Sequence, residues 1–216
     1  MIIKIVCNGH DSFSKLYQKN DHEFLVGIDG GSQIIIKNKL PLDLAIGDFD
    51  SANFQTIEKK AKETITFSRE KDDSDLKLAL EYIASPKFSE KYKIRNIDRI
   101  IIYNATGRRL DHYHANILLL YWYTHLPIEV IDEYNKILVT NSIMRFSKKQ
   151  LKKEGYKYVS FFALEFGLKL SLTGFKYPLT NANLQMNDVF AISNELVEDE
   201  GTMVPNNKKV LVFLSK

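Results

Sequence analysis

Over its first two-thirds, this 216-residue chain alternates short apolar runs with helical patterns, and this alternation limits its fold more than any other feature. In residues 74–84, Leu76, Leu80 and Ile83 recur at helical spacing, and residues 110–124 form the most apolar helical pattern. Strands that alternate with helices pair mainly in parallel. The sequence therefore predicts an α/β fold, with an N-terminal mainly parallel sheet flanked by helices. The predicted strands are residues 2–6, 24–28, 44–46, 64–67, 99–103 and 128–131, with a further helix at 53–62.

The last third of the chain has a different pattern. Its runs of alternating hydrophobicity are short, and turn signals such as Glu154-Gly155 and Thr173-Gly174 separate them. This pattern predicts a C-terminal antiparallel β-sandwich domain. We place the α/β domain at residues 1–135 and the β-sandwich domain at residues 136–216. The predicted sandwich strands are residues 137–140, 158–163, 168–172, 189–192 and 209–214.

Three acidic motifs follow predicted strands of the first domain. They read Gly-Asp-Phe-Asp-Ser with Asp48 and Asp50, Lys-Asp-Asp-Ser-Asp with Asp72 and Asp75, and Gly-Arg-Arg-Leu-Asp-His with Asp111. Strand ends of such a sheet meet at one edge, and two bare carboxylates about 4 Å apart repel by roughly 4 kcal/mol at an effective dielectric constant near 20. Hard oxygen ligands suit Mg²⁺, which commonly accompanies phosphates. The motifs therefore predict metal-assisted phosphoryl chemistry on a nucleotide.

The first two motifs also have simpler structural interpretations. In an extended chain Asp48 and Asp50 would point the same way, with Phe49 turned towards the core. The same residue types are, however, also common in turns. The acids of the second motif lie at a helix start, where the helix dipole favours negative charge and Ser74 is a suitable cap.

The third motif lies where a loop enters the most apolar predicted helix. A helix N-terminus attracts anions, and Arg109 adds a fork of donors that suits phosphate oxygens. Gly107 allows a close backbone approach, and Asp111 adds a carboxylate. His112 fits a nucleotide contact and equally fits a packed or solvent-facing helix histidine.

Two further features lie at the same predicted edge. Asp29 follows the second strand and precedes Gly30 and Gly31, which allow either a turn or a closely approaching ligand. Lys71 suits a phosphate or remains a solvated side chain. The chain has no Gly-x-x-x-x-Gly-Lys-Ser/Thr and no Gly-x-Gly-x-x-Gly sequence, so P-loop and dinucleotide-binding interpretations lose their main support.

Composition limits the partners and the compartment. The formal net charge is only +3 and the lysines are scattered, so we expect no nucleic acid partner. The first seven residues are too few for a signal peptide, and the apolar run at residues 117–123 is too short to span a bilayer. The single Cys7 excludes a disulfide within the chain. We therefore expect a cytoplasmic protein that does not bind membranes.

The order of the motifs resembles that of the thiamine pyrophosphokinase family. Asp29-Gly-Gly31 comes first and is followed by the three acidic motifs, with Ala115-Asn116 after the last. In the second domain, Gly-Phe-Lys-Tyr-Pro-Leu at residues 174–179 and Ile-Ser-Asn-Glu-Leu at residues 192–196 are similar to the thiamine-domain motifs of that family. The resemblance covers residues 26–196, nearly the whole chain.

The resemblance implies a Mg²⁺-dependent transfer of pyrophosphate from ATP to the hydroxyl of thiamine, giving thiamine diphosphate and AMP. It implies a homodimer with an ATP-binding catalytic domain and a thiamine-binding domain. In the family pattern Asp48, Asp50 and Asp75 hold Mg²⁺ and the phosphates, and Asp29 and Asp72 support them. The expected ATP-binding residues are Asp29, Gly30, Gly31, Lys71, Gly107, Arg109, Asp111 and His112, and the expected thiamine-binding residues are Ser193 and Asn194.

Two alternatives remain on sequence grounds. One is a Mg²⁺-dependent nucleotide hydrolase that uses the same carboxylates, although hydrolysis needs no domain for a second substrate. The other is a non-catalytic sensor of thiamine or nucleotide on the same fold, although a sensor has no need of Asp75.

Overall fold

The computed structural model describes residues 1–49, 54–68 and 73–216, which divide into two compact units, Met1–Glu133 and Tyr134–Lys216. The elements of the first unit, in chain order, are β1 (Ile2–Val6), α1 (Phe13–Leu16), β2 (Glu23–Ile28), α2 (Gly30–Lys37), β3 (Leu44–Gly47), α3 (Phe54–Lys60), β4 (Thr64–Thr66), α4 (Asp75–Ala84), α5 (Pro86–Tyr92), β5 (Arg99–Tyr103), α6 (Leu110–Trp122) and β6 (Ile128–Ile131). None of the helices in the described ranges combines the length and the apolar character that crossing a bilayer requires.

The described strands of the first unit pair in parallel in the order β4-β3-β2-β1-β5-β6. The predicted parallel sheet is therefore confirmed, and the predicted bounds of β1, β5 and β6 match the observed ones. The central strands β1, β2, β3 and β5 are mainly apolar and mostly buried, as expected for strands covered on both faces. The chain winds outward from β1 to β4 in one direction and from β5 to β6 in the other, so the winding reverses between β1 and β5.

Both faces of the sheet carry packed helices. On one face Phe24 makes edge-on ring contacts with Phe88 and Tyr92 of α5, and the three apolar residues predicted for α4 are buried. On the other face strand residues pack with α1, α2 and α3. This second cluster contains Val6, Phe13, Leu25, Ile35, Leu42, Ala45, Phe49, Ile57, Ile101 and Tyr103.

A charged side chain of β1 is buried in the sheet. Lys4 of β1 is 1% exposed, and its Nζ is 2.6 Å from Glu23 Oε2 and 4.5 Å from the ring centre of Tyr17. The Tyr17 hydroxyl donates to the other oxygen of Glu23 at 2.5 Å. Burial alone would raise the pKa of Glu23, but the hydrogen bonds from Lys4 and Tyr17 hold it below its usual range. The buried ammonium is thereby paired, as a buried charge must be.

The second unit is a sandwich of two antiparallel sheets. β7, β13 and β9 form one sheet, and β11, β10, β12 and β8 form the other. Apolar residues from both sheets share one core, which includes Val159, Phe161, Leu170, Met203 and Val212. The predicted β-sandwich is confirmed. Its elements are β7 (Asn135–Thr140), β8 (Met144–Ser147), α7 (Lys148–Glu154), β9 (Tyr158–Ala163), β10 (Leu168–Thr173), β11 (Leu179–Leu184), β12 (Glu200–Pro205) and β13 (Val210–Ser215).

One predicted strand is wrong, and β11 and α2 were not predicted. The strand predicted at residues 189–192 is irregular, and Val189 and Phe190 are exposed. β11 was missed because its sequence, Leu-Thr-Asn-Ala-Asn-Leu, is polar, as an edge strand can be. α2 was missed because its first two residues are Gly30 and Gly31, which are poor helix formers.

Candidate active site

The loops after β2 and β3 are joined through Asp29. Its Oδ1 accepts hydrogen bonds from the backbone N–H groups of Asp48 at 3.1 Å and Phe49 at 3.3 Å. A Cβ on Gly47 would lie only 1.8 Å from this oxygen, so glycine at this position leaves the space that the carboxyl of Asp29 occupies. The carboxyl of Asp29, which follows the neighbouring strand β2, therefore holds the backbone at the start of the Asp48 loop.

Asp75, the first residue of α4, adds a third carboxyl to this group. Burial raises the pKa of Asp29 to about 7, together with a hydrogen bond to Asp75 and the charges of Asp75 and Asp48. With its pKa raised in this way, the Asp29 carboxyl retains a proton to a higher pH than an exposed carboxyl does in the absence of a cation. Side chains that follow β2, β3 and β4 are thus brought together at the carboxyl edge of the sheet.

The chemistry of these donors suits a hard cation such as Mg²⁺, which prefers carboxylate oxygens and would relieve their repulsion. The described residues alone contain no group of three His, Cys, Asp or Glu side chains arranged to hold a metal ion. Asp50, Lys71 and Asp72, which were predicted for this site, lie outside the described residues.

Two details of the predicted motifs differ from expectation. The extended geometry assumed for the first motif is wrong, because Phe49 has a left-handed φ of 53°, although its ring is buried in the core as predicted. Neither Gly30 nor Gly31 has a positive φ, and the two residues open α2. A Cβ on Gly31 would lie 1.8 Å from the carbonyl oxygen of Val6, so close packing of α2 on β1 requires glycine there.

The capping interpretation of the second motif is confirmed for Ser74. Its side chain caps α4 by accepting from the backbone N–H of Lys77 at 3.3 Å. The same residue borders a cavity of about 580 Å³ between α4 and α6. The cavity is lined by Asp73, Ser74, Lys77, Glu81, Ala115, Leu118, Leu119, Trp122 and Tyr123.

The third motif lies in the loop that leads from β5 into α6. Gly107 has a left-handed φ of 78°, as does the following Arg108 at 51°. The guanidinium of Arg109 binds both carboxylate oxygens of Asp111, at 2.5 and 3.2 Å, and both side chains are exposed. This hydrogen bond lowers the pKa of Asp111 to about 2. His112 is exposed on the first turn of α6.

Cys7 directly follows β1 at the same edge. Burial, followed by the charges of Asp29 and Asp75, raises the pKa of its thiol to about 12. The thiol is therefore protonated at neutral pH and is a poor nucleophile.

In the second unit the two predicted thiamine residues have different environments. Ser193 is exposed, whereas Asn194 is 2% exposed. The Asn194 side chain accepts from the backbone N–H groups of Tyr177 and Glu195, each at 3.0 Å, and donates to the carbonyl of Tyr177 at 2.8 Å. Asn194 thus fixes the backbone that presents Tyr177.

The two aromatic residues of the preceding motif also differ. The ring of Tyr177 is 57% exposed, whereas Phe175 is buried and packs edge-on against Phe146 and Phe161. Phe175 belongs to the sandwich core, and of this pair only Tyr177 offers a ring to a ligand.

Comparison with known proteins assigns both units to one family. A family model described as "Thiamin pyrophosphokinase, catalytic domain" matches residues 15–131, and one described as "Thiamin pyrophosphokinase, vitamin B1 binding domain" matches residues 148–211. The thiamine pyrophosphokinase of Bacillus subtilis (strain 168) is 34% identical over 189 residues, which cover 85% of this chain and 83% of that protein.

Solved structures agree with the family models. The crystal structure of thiamine pyrophosphokinase from Bacillus subtilis aligns with a TM-score of 0.83 at 28% identity, over 100% of this chain and 99% of that one. A thiamin pyrophosphokinase family protein from Enterococcus faecalis aligns with a TM-score of 0.81 at 26% identity, over 100% and 99% of the two chains.

Proposed function

This chain belongs to the thiamin pyrophosphokinase family, and from that membership we propose that it transfers the pyrophosphoryl group of ATP to the hydroxyl of thiamine. The observation that carries the proposal is the group of carboxyls from Asp29, Asp48 and Asp75 at the carboxyl edge of a parallel sheet. These three carboxyls do not make a metal site among the described residues alone, and we propose that Asp50 of the same acidic motif completes the set of carboxylates where a cation and phosphates meet.

In the proposed reaction the thiamine oxygen forms a bond to the β-phosphorus of ATP, the bond from the β-phosphorus to the α,β-bridging oxygen breaks, and AMP leaves. Asp48, Asp50 and Asp75 would hold Mg²⁺, with Asp29 and Asp72 in support. When bound, Mg²⁺ supplies positive charge that neutralises the phosphate oxygens. A carboxylate of this group accepts the proton of the thiamine hydroxyl. Alignment and charge neutralisation account for most of the catalysis in this class of reaction.

The nucleotide contacts are proposed for the loops after β2, β4 and β5. Arg109 exchanges its exposed partner Asp111 for phosphate oxygens, which a guanidinium binds in two-pronged fashion. The other proposed contacts are Gly30, Gly31, Lys71, Gly107, Asp111 and His112.

Thiamine is proposed to bind the second unit at Tyr177 and Ser193. The exposed ring of Tyr177 offers a face on which a cationic thiazolium can stack. Asn194 is then a positioning residue, because its buried amide both accepts from and donates to the Tyr177 backbone.

We also propose that the chain works as a homodimer, in the cytoplasm, without a nucleic acid or membrane partner. The support for the dimer is an apolar stripe on α6, where Leu110 and Trp122 are more than 70% exposed and Leu118 is 49% exposed. These residues share one helix face with His114, and a second copy of the chain can cover such a stripe symmetrically. Sedimentation velocity should show a species with twice the mass of one chain, and a persistent monomer would contradict the dimer.

Incubation with ATP, Mg²⁺ and thiamine, followed by chromatography of the products, tests the function directly. We expect AMP and thiamine diphosphate in equal amounts. ADP or free phosphate formed without thiamine would instead favour the nucleotide hydrolase, and ligand binding without turnover would favour the sensor.

Arg109→Lys is expected to weaken the use of ATP although the charge is retained. A lysine cannot reproduce the two-pronged contact, so the KM for ATP should rise about tenfold, while the KM for thiamine stays within about twofold. Steady-state kinetics with each substrate varied in turn measures both. A rise confined to the KM for thiamine would place Arg109 at the thiamine site and contradict its assignment to ATP.

A further inference from the structure

The loop that follows β1, residues 8–11, lies beside the candidate site and has so far been given no role. We propose that two of its exposed side chains, Asn8 and His10, contact the polyphosphate of the nucleotide. The proposal rests on the proposed function and adds two residues to that site.

The position of the loop in the sheet is the first support. The winding of the sheet reverses between β1 and β5, so the loops after these two strands diverge and leave a crevice between them. Ligands of open parallel sheets bind in such a crevice, outside the carboxyl ends of the strands. The loop after β5 carries Gly107 and Arg109, and the loop after β1 forms the facing wall.

Two contacts place the loop between the motifs already assigned. A Cβ on Gly30 would lie 2.4 Å from Asn8 Oδ1, so the Asn8 amide occupies the space above the start of α2. A Cβ on Gly107 would lie 3.6 Å from the Cβ of His10. Asn8 is thus adjacent to the Asp29-Gly30 turn, and His10 is adjacent to the loop that carries Arg109.

The loop is anchored by Asn104, which follows β5. Asn104, which is 2% exposed, accepts at its Oδ1 from the backbone N–H groups of Ser12 and Phe13, both at 2.9 Å, and from the Ser12 hydroxyl at 3.1 Å. A Cβ on Gly9 would lie 2.0 Å from the Asn104 carbonyl oxygen, so the loop backbone lies directly on the end of β5. A loop fixed in this way loses little entropy when it binds a ligand.

The chemistry of the two side chains favours an anion. The amide of Asn8 and the imidazole of His10 both carry N–H donors, both are exposed, and neither side chain has a hydrogen-bond partner among the described residues. The nearest acid of the loop, Asp11, is occupied by the N–H and hydroxyl of Ser14, at 3.1 and 2.7 Å. Uncommitted donors beside Gly30 and Gly107 suit phosphate oxygens better than the cationic thiamine.

The test compares His10→Ala and Asn8→Ala with His22→Ala, which removes an exposed histidine at the opposite edge of the sheet, before β2. Calorimetry measures the binding of Mg²⁺-ATP and of tripolyphosphate to the full chain, kinetics gives both KM values, and thermal unfolding checks the fold. We expect each loop variant to bind ATP and tripolyphosphate about tenfold more weakly, with the KM for thiamine and the Tm unchanged. His22→Ala should match the unsubstituted chain.

His10→Gln retains an N–H donor and should recover part of the lost affinity. Unchanged ATP binding in both alanine variants would overturn the proposal while leaving the proposed function intact, as would a loss confined to thiamine. Weaker ATP binding with unchanged tripolyphosphate binding would place the contact on the nucleoside and overturn the assignment to the polyphosphate. Failure of the unsubstituted chain to bind ATP would overturn the proposed function and this proposal together.

Discussion

Asp75→Asn is expected to lower the rate of pyrophosphoryl transfer by a factor of about 10²–10³, a loss of roughly 3–4 kcal/mol of transition-state stabilisation. The carboxyl of Asp75 lies against Asp29 and at the start of α4, and an amide in its place is a poorer ligand for a hard cation. Product formation under saturating ATP and thiamine, at several Mg²⁺ concentrations, measures the loss. Near-normal turnover at limiting Mg²⁺ would rule out Asp75 as a metal ligand.

The same substitution should leave the fold intact and change how stability depends on pH. The pKa of Asp29 is raised in the folded chain from 3.8 to about 7, so folding retains a proton that the unfolded chain releases. This contribution to stability is present in full below about pH 4 and is lost as pH rises through about 7. Asp75→Asn removes the second charge, so without Mg²⁺ its Tm relative to the unsubstituted chain should be higher at pH 8 than at pH 5.

Asp21→Asn is the matched control, because Asp21 is an exposed carboxylate in the connection before β2. It should change neither the transfer rate nor the dependence of the Tm on pH. A Tm difference between Asp75→Asn and the unsubstituted chain that is equal at pH 5 and pH 8 would contradict the effect of Asp75 on the pKa of Asp29.

Asn194→Ala is expected to destabilise the second unit by about 2–4 kcal/mol, because it leaves the N–H and C=O of Tyr177 and the N–H of Glu195 without their buried partner. For a chain of this length such a loss corresponds to a fall in Tm of roughly 5–15 °C. The KM for thiamine should rise as well, since the backbone under Tyr177 is no longer held. Calorimetric unfolding and steady-state kinetics measure the two effects.

Ser193→Ala separates the effect on stability from the effect on thiamine binding. Because Ser193 is exposed, the Tm of the Ser193→Ala variant should change little. Its KM for thiamine should rise, because a hydroxyl beside the proposed ligand is lost. If Asn194→Ala instead kept the Tm of the unsubstituted chain and lost only affinity for thiamine, the Asn194 amide would be a direct thiamine ligand and the positioning role would be wrong.

The sequence predicted the elements whose residues repeat one simple pattern. Strands covered on both faces are mainly apolar, and for this reason the bounds of β1, β5 and β6 match although β1 and β6 each contain one charged residue. The buried stripe of α4 and its Ser74 cap were predicted from helical spacing and capping chemistry, which act within a few residues of the chain. The order of the acidic motifs identified the family for the same reason, since motif order is a property of the chain itself.

Features that depend on contacts between distant residues were not predictable in this way. The glycines at the start of α2 form helix because β1 leaves no room for a side chain at residue 31, and β11 is a strand because β10 supplies its hydrogen bonds. The environments of Ser193 and Asn194 differ because only the latter faces the backbone of Tyr177.

By itself, then, the sequence determined the two-unit α/β and β-sandwich architecture, the family and the strand ends that carry the carboxyls, because each depends on local periodicity or on motif order. Only the tertiary structure decided that Asp75 lies against Asp29 and raises its pKa, that Asn194 supports Tyr177 instead of facing outward, and that Asn8 and His10 lie between the loops of the candidate site. The physical reason is that hydrogen bonds, burial and pKa values depend on distances between residues far apart in the chain, which strand order and side-chain packing set.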